Sequence, residues 1–209
     1  MNKNWAHGVS GDYAVAANWN PASLPFPTDD IKIQQAGSYT VTLGGVSTPG
    51  INSLRVAQPA GSSVELLVEQ ATLGITGDVF NSGKLATDNS GRFNIGGDLR
   101  NSGNVQLKFG TLHVTGGLVN TGNVGSFFIG GQLYVGGVTR NLVDDSDPAH
   151  VKTGSISAGN TGANFEFAGQ VINAASISVT GGSLGHGEIA TSGGTILMDA
   201  GLKIGKSTR

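Results

Sequence analysis

The feature that most constrains this chain is a repeat of about 20 residues that runs from Leu73 to Asn141. Each unit reads apolar–x–apolar–x–Gly, then a further apolar residue, and closes on an asparagine. The apolar pairs are Leu73/Ile75, Phe93/Ile95, Leu112/Val114 and Leu133/Val135, and the asparagines are Asn81, Asn101, Asn120 and Asn141. The small variations in spacing are the same for both markers. Two independent markers that drift together predict a solenoid, in which each repeat forms one coil of a stack.

Composition indicates that the coils are made of β-strands. Charged residues are 12% of the chain, glycine contributes 35 residues, and the hydrophobic residues (38%) occur in short alternating runs. Such alternation places one face of a strand inward and the other outward. We therefore predict an all-β parallel β-solenoid (β-helix) of about 20-residue coils. The chain divides into a capping segment (1–35), regular coils (36–141), an Asp-rich loop (142–153) and less regular coils (154–209).

The N-terminal segment, 1–35, does not follow the repeat and contains both tryptophans. We predict that Trp5 and Trp19, helped by Tyr13 and Phe26, form an aromatic cap over the open end of the stack. The terminal unit of a repeat protein must shield a core that has no further neighbour. The alternative is that these aromatic residues form a sugar-binding platform.

The asparagine that closes each unit predicts a structural ladder. Asn81, Asn101, Asn120 and Asn141 are expected to stack and to bond side chain to backbone between coils, as in stacked amide arrays. Glycine at the adjacent corner allows either a positive φ or close approach of neighbouring coils.

The remaining alternating pairs extend the solenoid in both directions. Leu54/Val56 precedes Leu73/Ile75 by one repeat length, so the periodic coils are expected to start near it, with Leu54 in the position equivalent to Leu73. Ile177/Val179 and Leu202/Ile204 are separated by more than one repeat length, which predicts an insertion around 182–187. The sequence ends at Arg209 directly after a strand-like segment. We expect pairing with another copy or a neighbouring repeat there, since an open coil end exposes unpaired backbone groups.

The sharpest candidate for chemistry is the acidic cluster Asp144, Asp145 and Asp147. Carboxylates at short spacing on a loop can bind a hard cation such as Ca²⁺. They can also supply the acid and base of glycoside cleavage. The third interpretation is a solvated turn, in which aspartate, serine and proline are ordinary residues. No other metal site or cofactor is expected, because the four histidines are dispersed and the chain has no cysteine.

Outward positions between the inward pairs predict a surface feature. Arg55, Gly74, Asn94, His113 and Tyr134 are expected to form one flat polar stripe, which either contacts a glycan or a partner or is plain solvated surface. A nucleic-acid partner is not expected, because the net charge is −2 and the basic residues form no cluster. A membrane span is not expected either, since no apolar run approaches the length that a spanning helix needs.

The sequence resembles a family of bacterial surface proteins. The segment WAHGVSGDYAVAANWNPASLPFPTDDIKIQQAGSYTVTL is followed by I-N-S-L-x-V and by repeated G-[DG]-[LV]-x-N-[ST]-G units. This arrangement resembles the autotransporter passenger-like and β-strand-repeat proteins over roughly residues 5–140. The resemblance implies a long right-handed parallel β-helix (β-solenoid). It does not specify an activity, because such passengers include adhesins and matrix components.

These observations predict a non-enzymatic structural or adhesive segment of a bacterial extracellular or cell-surface protein. Its secretion signal is expected outside this sequence, because residues 1–13 lack the apolar core of a signal peptide. A first alternative is a virion or filament component, such as a phage fibre, spike or capsid-decoration protein, that assembles through its open end. A second is a polysaccharide-active β-helix enzyme that uses the Asp144–Asp147 region.

Overall fold

A computed structural model shows that the chain is a parallel β-solenoid. The structure describes residues 1–45, 50–126, 130–159, 161–180 and 182–186, and the strands at 189–191, 195–198 and 204–206; side chains are described as far as residue 185. About seven turns of about 21 residues stack on one another. The prediction of an all-β parallel solenoid with an aromatic N-terminal cluster is confirmed.

Short strands make up nearly all of the regular structure. The first are β1 Asn2–Trp5, β2 Gly11–Asp12, β3 Trp19–Asn20, β4 Asp30–Ile33, β5 Ser38–Gly44, β6 Ser53–Val56, β7 Ser63–Glu69 and β8 Thr72–Ile75. The middle of the chain adds β9 Val79–Asn81, β10 Lys84–Asp88, β11 Arg92–Ile95, β12 Leu99–Asn101, β13 Asn104–Leu107, β14 Thr111–Val114, β15 Leu118–Asn120, β16 Asn123–Ser126, β17 Gln132–Val135 and β18 Thr139–Asn141. The last are β19 Val143–Asp144, β20 Lys152–Thr153, β21 Ser155–Ala158, β22 Asn164–Phe167, β23 Val171–Asn173, β24 Ser176–Val179, β25 Ser183–His186, β26 Ile189–Thr191, β27 Thr195–Met198 and β28 Ile204–Lys206. A short 3-10 helix, Ala16–Asn18, lies between β2 and β3.

Each regular coil contributes one strand to each of three sheets. Sheet 1 has the order β3-β1-β4-β6-β9-β12-β15-β18-β23-β26, and sheet 2 has the order β2-β5-β7-β10-β13-β16-β21-β24-β27. Sheet 3 has the order β8-β11-β14-β17-β22-β25-β28. Neighbouring strands within these sheets are parallel, except that β3 runs antiparallel to β1 at the N-terminal end. The three sheets enclose one continuous apolar core.

The core is built from columns of equivalent residues. In sheet 3, Phe93 lies in register between Leu73 and Leu112, and all three side chains are buried. In most strands the alternation is regular, so every second residue points inward and its neighbours point outward; β10 and β16 depart from it, with three consecutive buried residues each. One inward position holds a polar residue: Thr139 lies in register with Leu118 and is buried.

Two assignments of apolar pairs are wrong. Leu54 lies in sheet 1 beside Val79, and therefore does not belong to the column of Leu73. Ile204 pairs with Leu184 in sheet 3, whereas Ile177 lies in sheet 2. The supposed insertion at 182–187 therefore contains strand β25. The reason is that all three sheets use the same apolar–x–apolar pattern, so a pair alone does not reveal which sheet contains it.

Asparagine side chains form a hydrogen-bonded ladder inside the coil corner. Asn81 Nδ2 donates to Asn101 Oδ1 at 2.7 Å, and Asn101, Asn120 and Asn141 each donate to the next asparagine at 2.8 Å, ending at Asn173. Each of these four donors also bonds a backbone carbonyl of a neighbouring coil, as Asn81 does that of Asn104 at 3.0 Å. The side-chain to side-chain contacts were not expected. They make the ladder continuous from coil to coil.

Glycine follows the asparagine because the coils approach closely there. A Cβ atom on Gly103 would overlap the carbonyl oxygen of Gly83, and a Cβ on Gly122 would overlap that of Gly103. These glycines do not have positive φ angles. Of the two roles predicted for the corner glycine, close approach is therefore the one that operates here.

Three aromatic rings close the N-terminal end of the core. Trp5 and Trp19 meet edge to face, with ring centroids 5.1 Å apart, and Tyr13 meets Trp19 in the same way at 4.9 Å. All three rings are buried. Phe26 is 56% exposed, so its expected part in the cap is wrong. Lys3 takes an inward position instead, in register with Ile31.

The buried Lys3 is satisfied by the loop that follows β3. Its Nζ atom donates to the carbonyl oxygens of Pro21 at 3.3 Å and Ser23 at 2.8 Å, and to the Ser23 hydroxyl. A buried ammonium group needs such partners, since an unpaired charge in the interior is costly. The lysine therefore ties the loop across the end of the stack.

Candidate functional site

The acidic cluster lies on an excursion from the stack. Strands β19 and β20 form a short antiparallel hairpin outside the three sheets, and the hairpin is exposed except at Asp144, which is partly exposed. Asp144 Oδ1 accepts hydrogen bonds from the Ser146 hydroxyl at 2.6 Å and the Ser146 amide at 3.2 Å. Asp147 accepts from the Ala149 amide at 3.0 Å and contacts His150 Nδ1 at 2.8 Å.

These bonds use the carboxylates within the loop. The side-chain and backbone hydrogen bonds from Ser146 lower the pKa of Asp144. A general acid for glycoside cleavage needs the opposite shift, since it must hold its proton near neutral pH. In the described part of the chain, no group of three or more His, Cys, Asp or Glu side chains is placed to hold a metal ion. A Ca²⁺ site at Asp144, Asp145 and Asp147 stays a prediction.

The outer face of sheet 3 carries most of the predicted polar stripe. Gly74, Asn94, His113 and Tyr134 are in register on β8, β11, β14 and β17, and Glu166 continues the column on β22. The rings of His113 and Tyr134 stack with centroids 4.6 Å apart and planes within 4° of parallel. Parallel pairing of successive coils thus brings residues that are one repeat apart in the sequence into van der Waals contact.

A shallow depression of about 330 Å³ surrounds this ring pair. It is lined by Arg92, Thr111, His113, Gln132, Leu133, Tyr134, Asn164 and Glu166. Hydroxyl, amide and ring groups dominate the lining, so the surface offers both donors and acceptors to a polar ligand. It is open and lacks the enclosed apolar pocket that typically binds a small molecule.

Arg55 does not belong to that stripe, and its expected position is wrong. It lies on the outer face of sheet 1, in register with Lys32 on one side and Phe80 on the other. The same column continues through Arg100, Val119, Arg140 and Ile172. We name these seven residues, Lys32, Arg55, Phe80, Arg100, Val119, Arg140 and Ile172, the sheet 1 column.

The sheet 1 column was not expected, although the sequence contains a signal for it. Five of its members, from Phe80 to Ile172, directly precede an asparagine of the ladder. Since the asparagines point inward, the residue before each of them must point outward on the same sheet. Arg100 also lies over the Phe80 ring, with its guanidinium carbon 5.6 Å from the ring centroid.

On the outer face of sheet 2, lysines form ion pairs with acidic residues of neighbouring coils. Lys84 Nζ lies 3.0 Å from Glu65, and Lys108 Nζ lies 2.7 Å from Asp88, each pair joining neighbouring coils. Further along this face serine predominates, as in Ser157 and Ser178, whose hydroxyls are 3.0 Å apart. The outer face of sheet 2 is therefore electrically balanced at these pairs.

No protein-family model, no curated protein and no solved structure matches this chain. Among the described residues, no helix is long and apolar enough to cross a membrane. The predicted open end at Arg209 lies outside the described residues.

Proposed function

We propose that this chain is a non-enzymatic, rigid structural segment of a bacterial extracellular or surface protein that uses its outer faces as an adhesive surface. The observation that carries the proposal is the continuity of the stack. All three sheets continue from coil to coil, and the buried asparagine ladder joins five successive coils. A scaffold of this kind holds equivalent side chains at a fixed spacing of about 4.8 Å over many coils.

Two features of the surface favour adhesion over catalysis. The depressions on the outer faces are open and shallow, about 190 Å³ beside Phe80 and about 330 Å³ beside Tyr134. The carboxylates of Asp144 and Asp147 are engaged in local turns rather than aimed at a common point. Extended polymers and flat partner surfaces suit such columns better than a small substrate does.

An adhesion assay under flow tests the proposal. The chain is coupled to beads, and bead retention is measured on surfaces coated with acidic glycan, neutral glycan or protein. A matched control carries Leu112→Asp, which places a charge in the fully buried core and should unfold the stack. We expect the native chain to be retained on at least one coating and the control on none.

Equal retention of the native and Leu112→Asp beads on every coating would contradict an adhesive role. The enzymatic alternative has its own readout, which is the release of reducing ends from a polysaccharide. Release that disappears in the combined variant Asp144→Asn, Asp145→Asn, Asp147→Asn would replace the proposal with the enzyme hypothesis. We expect this variant to keep both its fold and its adhesion, since the excursion lies outside the three sheets.

A further inference from the structure

The sheet 1 column alternates in chemistry from one coil to the next. From Arg55 onward, the register places a cation, then an apolar residue, through three complete cycles: Arg55, Phe80, Arg100, Val119, Arg140 and Ile172. The three arginines are exposed, and Phe80 is 39% exposed. An exposed phenylalanine flanked by arginines on a rigid face offers apolar area beside positive charge.

The cationic side chains of the column are not engaged in ion pairs with other described residues. Among the described residues, Lys32, Arg55, Arg100 and Arg140 form no salt bridge, whereas sheet 2 pairs Lys84 and Lys108 with acids. The column itself therefore carries four cationic side chains and no acidic one, on a chain whose net charge is −2. Guanidinium groups are suited to carboxylate and sulfate ligands because their N–H fork binds two oxygens at once.

Three aspartates, Asp30, Asp78 and Asp98, flank the column; each is hydrogen-bonded, but a hydrogen bond does not neutralise a carboxylate, so they offset part of the column's charge. Asp30 accepts a hydrogen bond from Asn52 at 2.7 Å. Asp78 accepts from the Asp98 amide at 2.9 Å, and Asp98 accepts from the Gly117 amide at 2.8 Å. These carboxylates are bonded along the solenoid axis to the next coil. The equivalent positions before Arg55 and Arg140 are Ser53 and Val138, which carry no charge.

The spacing of the cations selects the shape of a ligand. Coils are separated by about 4.8 Å, so arginines on alternate coils recur at about 10 Å. Each residue of an extended sugar chain advances the chain by roughly one coil spacing. If every second sugar carries an anionic group, these groups lie opposite the arginines on alternate coils. The intervening sugar presents the apolar C–H face of its ring to Phe80, Val119 or Ile172.

We infer that the sheet 1 column binds a linear acidic polysaccharide that carries one anionic group on every second sugar residue. The inference rests on the proposed adhesive function and names its ligand class and its face. A nucleic acid fits the column less well, because its bases need successive aromatic platforms and Phe80 is the one aromatic member. An acidic peptide such as polyglutamate would use the arginines but has no ring faces to place on Val119 and Ile172.

Fluorescence anisotropy with labelled octasaccharides of hyaluronan and of chitin tests the inference. Hyaluronan carries a carboxylate on every second sugar, and chitin is uncharged. We expect the hyaluronan octasaccharide to bind more tightly than the chitin octasaccharide, with an affinity that falls as salt is raised. The combined variant Arg55→Gln, Arg100→Gln, Arg140→Gln should weaken hyaluronan binding about tenfold, as expected for the loss of three exposed charge contacts.

Two single variants define the site. Phe80→Ser should weaken hyaluronan binding about threefold, because it removes the aromatic platform and leaves the charges. Lys152→Gln, on the exposed hairpin outside the three sheets, is the charge-removing control and should leave the affinity unchanged. All variants are exposed positions, so an unchanged melting temperature verifies that the stack is intact.

Other outcomes overturn the inference. Unchanged hyaluronan affinity in the triple arginine variant would remove the sheet 1 column as the site. Polyglutamate or oligodeoxythymidylate binding as tightly as hyaluronan, with no effect of Phe80→Ser, would show a site for charge alone. Retention in the flow assay that persists in the triple variant would refute this inference and leave the adhesive function standing. If the native chain is retained on none of the coatings, the adhesive function itself is refuted.

Discussion

The asparagine ladder and the N-terminal cap solve the same problem of burying polar groups in opposite ways. In the ladder, asparagine recurs in five successive coils, and each amide donates to the asparagine of the next coil as far as Asn173. In the cap, no arrangement is repeated. Trp5, Trp19 and Lys3 each donate a hydrogen bond to a different backbone carbonyl. The Trp19 indole donates to the Tyr13 carbonyl at 2.8 Å, for example.

A repeat protein can satisfy buried polar groups by repeating one residue only inside the stack, and not at its end. A residue inside the stack has a neighbour above and below, so one solution copied from coil to coil satisfies every member except the first. That first member shows the limit: Asn81 Oδ1 is buried without a hydrogen-bond partner because the preceding coil presents Val56 in that position. At the end of the stack one neighbour is missing, and large individual side chains replace it.

The largest expected effect is on the cap. Trp19→Ala should destabilise the chain by about 3–5 kcal/mol, because it removes a buried ring that contacts both Trp5 and Tyr13. Chemical denaturation monitored by circular dichroism measures the change. Phe26→Ala is the matched control, since Phe26 is an aromatic residue of the same segment with an exposed side chain. Equal losses for the two variants would show that the rings of the cap do not seal the core.

The next effect tests the ladder in its middle. Asn101→Ala should cost about 1–3 kcal/mol, because Asn120 Oδ1 loses its buried donor and Asn81 Nδ2 loses its acceptor. The control is Asn123→Ala, since Asn123 donates to Asn104 at 3.0 Å in an exposed pair on the outside of the same coils. We expect the control to change the unfolding free energy by less than about 0.5 kcal/mol. A control as costly as Asn101→Ala would mean that burial does not distinguish the two asparagine pairs.

A smaller effect concerns pH and the cap tyrosine. Burial, and to a lesser degree the charge of Asp29, raises the pKa of Tyr13 above its ordinary 10.0. The folded state therefore holds the Tyr13 proton more tightly than the unfolded state does. The contribution of Tyr13 to the free energy of unfolding is fully present below pH 10 and is lost as the pH rises above that value. Tyr13→Phe should abolish this part of the alkaline loss. At neutral pH it should change stability by about 1 kcal/mol or less, because the hydroxyl has no hydrogen-bond partner.

Tyr39→Phe provides the comparison for Tyr13→Phe. Burial also raises the pKa of Tyr39, but its hydroxyl accepts a hydrogen bond from the Gln35 amide at 3.0 Å. We expect this variant to reduce the alkaline loss and to cost about 1 kcal/mol at neutral pH. Thermal unfolding of both variants at pH 7 and pH 11 separates the two effects. Identical behaviour at pH 7 would contradict the difference in hydroxyl bonding.

The smallest effect is expected at the acidic excursion. Replacing residues 144–152 by two glycines should change the unfolding free energy by less than about 1 kcal/mol, since shortening a loop changes its closure entropy only slowly. The hydrogen bonds that fix this coil lie outside the deletion, for example from the Leu142 amide to the Asn120 carbonyl at 2.8 Å. A large loss of stability, measured by denaturation, would show that the excursion supports the stack.

Much of the fold could be predicted from single residues and their spacing. The period, the inward pairs and the ladder asparagines all lie at recurring positions, and the tryptophans stand out because they interrupt the pattern. The placements of Leu54 and Ile204 were wrong because the apolar–x–apolar pattern is common to all three sheets, and the error at Leu54 carried Arg55 with it. The assignment of Phe26 to the cap was wrong for another reason: an aromatic residue near prolines in the capping segment need not be buried.

By itself, the sequence determined that this protein is a stack of β-coils, because a repeated alternation of apolar and polar residues can be buried only by stacking one repeat on the next. Only the tertiary structure decided the register, and register alone determines which outward residues are neighbours. Arg55, Arg100 and Arg140 are far apart in the sequence, and Arg55 is followed by Val56 rather than by a ladder asparagine. Parallel pairing between coils brings them onto one face, alternating with Phe80 and its apolar counterparts.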